Sequence, residues 1–235
     1  MLTSFLPLPE PVIETVDGFL VVRDDLLPGG TKRRAIPVFF DDDHDEYVYA
    51  SPVQGAAQLA LALTAREHGK RATIFCAKRK TWHPNTVRVH ELGGNVIEVP
   101  MGFLSNITAK ARDYCAFDKR AKLLPFGLDD PRMIQALARV AYNLDINPQE
   151  VWSIASSGVL TRALQLAWPE ARFFGVQVGH CPPMSRATII TCDEPFERNA
   201  KFPPPFPSCS NYDAKVWQHM KRHATPGALF WNVSA

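Results

Sequence analysis

The chain has 235 residues, of which 46% are hydrophobic and 21% charged, and a formal net charge of +2. That length is enough for a real core, in one large domain or two small lobes, and a nearly balanced charge neither requires nor excludes a polyanionic partner. No apolar run approaches the ~20 residues needed to cross a bilayer, and residues 1–7 lack a basic start and a signal-length apolar core, so the sequence reads as a soluble cytoplasmic protein.

Residues 1–24 are punctuated by proline and end in a short strand-like run, Gly18-Phe19-Leu20-Val21-Val22-Arg23-Asp24. Pro28-Gly29-Gly30 marks a turn, and Thr31 is placed to cap a following helix. Residues 41–46 (DDDHDE) read as an acidic, solvated loop. An alternating unit then begins: strand 47–50, turn 51–55, helix 56–68, strand 72–76, helix 86–92 and strand 95–99. The second half repeats the theme with a helix from Asp130-Pro131 to about Leu144, strand 151–155, a Ser-Ser-Gly turn, a helix to Trp168 and strand 173–178. Residues 182–210 read as proline-rich loop, followed by a helix around 213–223 and a final strand, 228–231. Short apolar strands alternating with helices predict a parallel sheet covered by helices. A smaller lobe of about 47–125 is expected to be inserted into a larger one made of 1–46 and 126–235.

Cys76, Cys115, Cys181, Cys192 and Cys209 are odd in number and form no CxxC pair. Reduced structural thiols are the better reading, and no metal site is predicted. His44, His83, His180 and His219 have no convincing sequence partner and are assigned to surface or core.

Three segments can carry chemistry. After strand 151–155, the turn Ser156-Ser157-Gly158-Val159-Leu160-Thr161 can aim backbone N–H groups, hydroxyls and a helix N-terminus at one anion, a phosphate monoester above all. It is neither a Walker motif nor a dinucleotide fingerprint, and a plain serine-capped turn explains it equally well in isolation. Lys32, just after the Gly-Gly turn, can have a depressed pKa, which imine formation with an aldehyde requires. Alone, Lys32-Arg33-Arg34 reads as a solvated basic patch. At Ser51-Pro52-Val53-Gln54-Gly55, Ser51 and Gln54 can reach a ring hydroxyl or a substrate carboxylate, or can serve simply as cap and surface residue.

Taken in order, these segments resemble the fold-type II pyridoxal-phosphate enzymes, particularly the aminocyclopropane-carboxylate deaminase and D-cysteine desulfhydrase branch. VVRDDLLPGGTKRRAI is similar to the family's cofactor-lysine segment, which places the Schiff-base lysine at Lys32. His90-Glu91-Leu92-Gly93-Gly94-Asn95-Val96-Ile97, the Ser156–Thr161 phosphate loop, Tyr212-Asp213-Ala214-Lys215-Val216 and the closing strand with Ser234 follow in the family's order. The resemblance implies a tryptophan synthase β-like α/β fold with two open sheets, pyridoxal 5′-phosphate as cofactor, an amino-acid-type substrate and a homodimer. It implies cofactor contacts from Lys32, Ser51, Gln54, Ser156, Ser157, Gly158, Val159, Leu160, Thr161, Tyr212 and Ser234, with Lys32 catalytic.

The departures direct the reaction reading. Val53 stands where the family usually has an asparagine, Pro52 falls at or near its proton-shuttling serine, and Val233 replaces a terminal threonine. The chain is also shorter than ordinary members. It thereby resembles short phage-encoded members of thymidine hypermodification pathways, which implies decarboxylation of an amino acid attached to the base in DNA. That step needs no base at the α-carbon. Lys78-Arg79-Lys80, Lys119-Arg120-Ala121-Lys122 and Lys221-Arg222-His223 would then track phosphates. The alternatives are a deaminase or lyase of a small free amino acid and a non-catalytic binding module.

Overall fold

A computed structural model describes residues 8–100, 102–179 and 182–235. The chain divides into two compact units, one of Ile36–Leu128 and the other of Pro9–Ala35 with Asp129–Ala235. The expected lobe limits, 47 and 125, fall inside the first of these.

The first unit holds a four-stranded sheet of order β5-β4-β3-β6, built from β3 (Glu46–Ala50), β4 (Arg71–Ala77), β5 (Asn95–Val99) and β6 (Ala121–Leu123). All its ladders are parallel. Helices α1 (Ala57–Glu67), α2 (Pro84–Glu91) and α3 (Leu104–Phe117) connect the strands. Strand β3 is buried at every position, as expected for a parallel strand covered on both sides. The acidic loop is less solvated than its composition suggests. Glu46 lies inside β3 and accepts hydrogen bonds from Arg71, Thr73 and Tyr114. Asp41 pairs with Lys122 at 2.6 Å and with His44, which holds its carboxyl well below the usual carboxylate range.

The second unit holds six strands in the order β1-β2-β10-β7-β8-β9. These are β1 (Ile13–Val16), β2 (Phe19–Arg23), β7 (Glu150–Ala155), β8 (Arg172–Gln177), β9 (Thr188–Thr191) and β10 (Leu229–Asn232), with helices α4 (Pro131–Tyr142), α5 (Val159–Ala167) and α6 (Ala214–His223). Only the β1–β2 ladder is antiparallel. Its two-residue turn, Asp17-Gly18, has positive φ at both positions (51° and 82°), which matches the right-handed twist of a hairpin. Asp130 caps α4 by accepting from the Arg132 N–H, and Pro131 occupies the first turn. The core gathers Trp152, Phe230, Trp231, Leu164 and Trp217, with Trp152 stacked on Phe174 at 4.6 Å. The proline-rich stretch packs against the core at Phe206. Phe206 packs edge-on against Trp217 and lies beneath the Arg23 guanidinium.

Candidate active site

The Lys32 segment is mounted on β10. Gly30 has φ 66° and ψ −165°, a region open essentially to glycine. A Cβ there would overlap the Val233 carbonyl oxygen, so the chain passes against the end of β10 at a distance no side chain permits. The Thr31 N–H donates to that same carbonyl at 3.0 Å. Thr31 caps no helix, contrary to the sequence reading. Residues 31–34 form a short 3-10 turn, and the Thr31 hydroxyl donates to the buried carboxylate of Asp24 at 2.8 Å.

The anion loop follows β7. Gly158, left-handed at φ 72° and ψ 3°, leads directly into α5, whose first amides have no intrahelical acceptors. Arg162, one turn on, reaches back from α5. Its Nη2 donates to the Ser157 carbonyl at 3.2 Å, its Nε to the Gly158 carbonyl at 3.3 Å, and it pairs with Asp129 at 2.8 Å. With the loop carbonyls held by Arg162, the loop is fixed in shape and a guanidinium stands beside it.

Lys32, Ser157, Gly158, Val159, Leu160 and Tyr212 line one cavity of about 20 Å³. That is room for one water or for the leading oxygen of an anion. Of the residues expected from sequence, these six come together. Ser156 sits half-buried in the same turn. Thr161 does not contribute its hydroxyl, which is fully buried and bonded to the Ser153 hydroxyl at 2.9 Å. Ser51 and Gln54 belong to the first unit. The Ser51 hydroxyl, also fully buried, donates to the Pro52 carbonyl at 2.8 Å, so that turn closes on itself. Its neighbour Gln58 holds the Val53 carbonyl at 2.9 Å.

Sequence reasoning missed Asp213. It is fully buried. Its Oδ2 accepts the Ser234 N–H at 3.1 Å, and its Oδ1 has no partner among the described residues. Burial raises the Asp213 carboxyl well above its ordinary range, against the opposing pull of the Ser234 N–H and the Lys32 charge. Burial likewise lowers the Lys32 amine, against the pull of Asp213. Both effects disfavour the charged forms of the Lys32 amine and the Asp213 carboxyl, which lie within electrostatic reach of each other. Ser234, expected from the family resemblance to contact the cofactor, donates its N–H to Asp213. The signal was available in Tyr212-Asp213, an acid at the start of a predicted helix, but its burial was not.

The basic clusters are engaged at home only in part. Arg120 pairs with Asp45, Lys122 with Asp41 and Lys221 with Asp17, while Lys78, Arg79 and Lys80 are exposed. Among the described residues no cluster of His, Cys, Asp or Glu could hold a metal ion, and no helix is long and apolar enough to cross a membrane. Cys181 and His180 lie outside the described residues.

No family model matches the chain, and neither does any curated protein. Solved structures do. A crystal structure of an ACC deaminase homologue superposes at a TM-score of 0.81 and 13% identity, over 97% of this chain and 90% of the other. The chain has that fold. The processed form of threonine deaminase isoform 2 from Solanum lycopersicum gives 0.74 at 13% identity, over 97% and 79%. Escherichia coli diaminopropionate ammonia lyase gives 0.68 at 11%, over 100% and 84%. The tryptophan synthase β-like class expected from the sequence is the class found.

Proposed function

We propose that the chain is a pyridoxal-phosphate-dependent enzyme that acts at the α-carbon of an amino acid, with deamination or a related elimination as its reaction. One observation carries the reading: Lys32 and the N-terminus of α5 line one cavity, near a buried carboxyl with an unpartnered oxygen. The parts fit the cofactor's three polar ends. The amides of 157–160 and the adjacent Arg162 suit its phosphate, Lys32 its aldehyde and Asp213 Oδ1 its ring nitrogen. When bound, pyridoxal phosphate supplies an electron sink for a bond broken at the α-carbon.

The protein's own residues then have distinct tasks. The 157–160 loop, braced by Arg162, anchors the anionic end. Asp213, oriented by Ser234, holds or yields a proton at Oδ1. With its pKa lowered by burial, the Lys32 amine would serve as the nucleophile toward the cofactor's aldehyde and, once released, as a base for the proton at a substrate's α-carbon. That last role weakens the sequence argument for decarboxylation, which rested on a missing serine near Pro52. The structural neighbours named above are an ACC deaminase homologue, a threonine deaminase and an ammonia lyase, and none lends support to decarboxylation, to DNA as substrate or to phage origin. A homodimer remains part of the proposal.

Ammonia and a 2-oxo acid released from small D- or L-amino acids by the cofactor-loaded protein would bear out this reading. Release of CO₂ without ammonia would return the decarboxylase alternative.

A further inference from the structure

We infer that Asp24 is a positioning residue for Lys32, acting through a buried clamp with Thr31, Arg34 and Trp231. The inference rests on the role proposed for Lys32. Asp24 has no exposed surface. Its carboxylate accepts from the Thr31 hydroxyl at 2.8 Å, from Arg34 Nε at 2.7 Å and Nη2 at 2.6 Å, and from the Trp231 indole N–H at 3.1 Å. The same indole lies 2.9 Å from the Thr31 hydroxyl. Thr31 and Arg34 bracket Lys32 in the chain, and Trp231 belongs to β10. The carboxylate therefore fixes both sides of the lysine to a central strand.

The local backbone cannot do this alone. Residues 31–34 make one 3-10 turn, with the Arg33 N–H on the Gly30 carbonyl at 3.0 Å and the Ala35 N–H on the Lys32 carbonyl at 3.1 Å. Such turns have poor hydrogen-bond geometry, and a lysine side chain is costly to order. Arg34 compensates the Asp24 charge, so Asp24 acts on Lys32 through position rather than through its field. With the clamp intact, the Lys32 stem starts from a fixed Cα and its amine is held at the cavity that Lys32 lines. With the clamp loosened, the amine gains hydration and regains the character of an ordinary lysine.

The test needs no cofactor. Trace reductive methylation of the full-length protein across pH, read by peptide mass spectrometry, gives the labelling midpoint of Lys32 against exposed Lys78 and Lys80 in the same chain. In wild type the Lys32 midpoint should lie below theirs. Thr31→Val, which removes one hydroxyl at nearly constant volume, should move it up toward theirs and cut Lys32 labelling at neutral pH about tenfold, the scale of one lost buried hydrogen bond. Thr31→Ser should restore both. If Thr31→Val fails to fold, Trp231→Phe removes another donor to the same carboxylate and is read in the same way. A folded variant whose Lys32 midpoint and rate match wild type overturns the inference. Addition of pyridoxal phosphate separates the two claims. If wild type forms no adduct, the proposed function falls, while the methylation profile still decides the role of Asp24.

Discussion

At the scale of single residues, Lys32 and Asp213 pose opposite pH problems. Burial lowers the Lys32 pKa, so between that lowered value and the ordinary ~10.5 the unfolded chain holds more protons than the folded one, and stability rises with pH across that window. Burial raises the Asp213 pKa, so from the ordinary ~3.9 up to the raised value the folded chain holds more protons, and stability falls as pH rises. Lys32→Met should abolish the alkaline gain, and Asp213→Asn should abolish the acid-side loss. Urea midpoints of the cofactor-free proteins at several pH values measure both, and curves parallel to wild type would show the groups to be solvated. Lys32 was singled out in the sequence only through the resemblance of its Gly-Gly-Thr-Lys segment to a family motif, since alone it reads as part of a basic patch. Asp213 was not, because the property that marks it, an unpartnered oxygen in a dehydrated place, exists only once β10 and α6 have met. The same holds for Thr161, whose hydroxyl looked available until the fold turned it onto Ser153.

At the scale of elements, the site depends on two glycine turns of different tolerance. Gly30→Ala forces a Cβ into the Val233 carbonyl at a glycine-only conformation. It should cost about 1–3 kcal/mol or more in denaturant unfolding. At Gly158 a Cβ would meet the Met184 side-chain tip, which can move aside. Gly158→Ala should therefore leave the fold intact at a cost of roughly 1 kcal/mol, yet weaken pyridoxal phosphate binding about tenfold by tilting the loop amides. Equilibrium binding of the cofactor checks this, and unchanged affinity would remove the loop from the site. Arg162→Met should act in the same direction by releasing the Ser157 and Gly158 carbonyls. Elements with strong apolar runs, such as β3 and β7, were legible along with their helices. Strand β9 was not, because its four residues form a sheet edge with no fully buried position, inside a segment dominated by proline. Helix α3 hid for a related reason, burying only Ile107 and Ala111. Asp17-Gly18 did signal the β1–β2 hairpin and went unread.

At the scale of the whole molecule, the alternation of strands and helices carried the fold class, and the structural likeness persists at 11–13% identity. The fold and cofactor readings draw on the order of many strands and turns, the reaction reading on a few single positions. For that reason the cofactor reading survived the structure better than the reaction reading, which hung on Pro52 and Val53 in a turn that closes on itself. Cofactor at about a hundred times its dissociation constant should add roughly 2.7 kcal/mol to folding, an upward shift of about 5–11 °C in Tm for a chain of this size. An unshifted melting curve would argue for a fold that has lost its ligand. The most direct measurement is an absorbance scan of the purified protein with pyridoxal 5′-phosphate, followed by borohydride reduction and peptide mapping. The account predicts a band near ~420 nm and a reduced adduct on the peptide that contains Lys32, both lost in Lys32→Ala. A colourless protein, or an adduct that persists in Lys32→Ala, would contradict it.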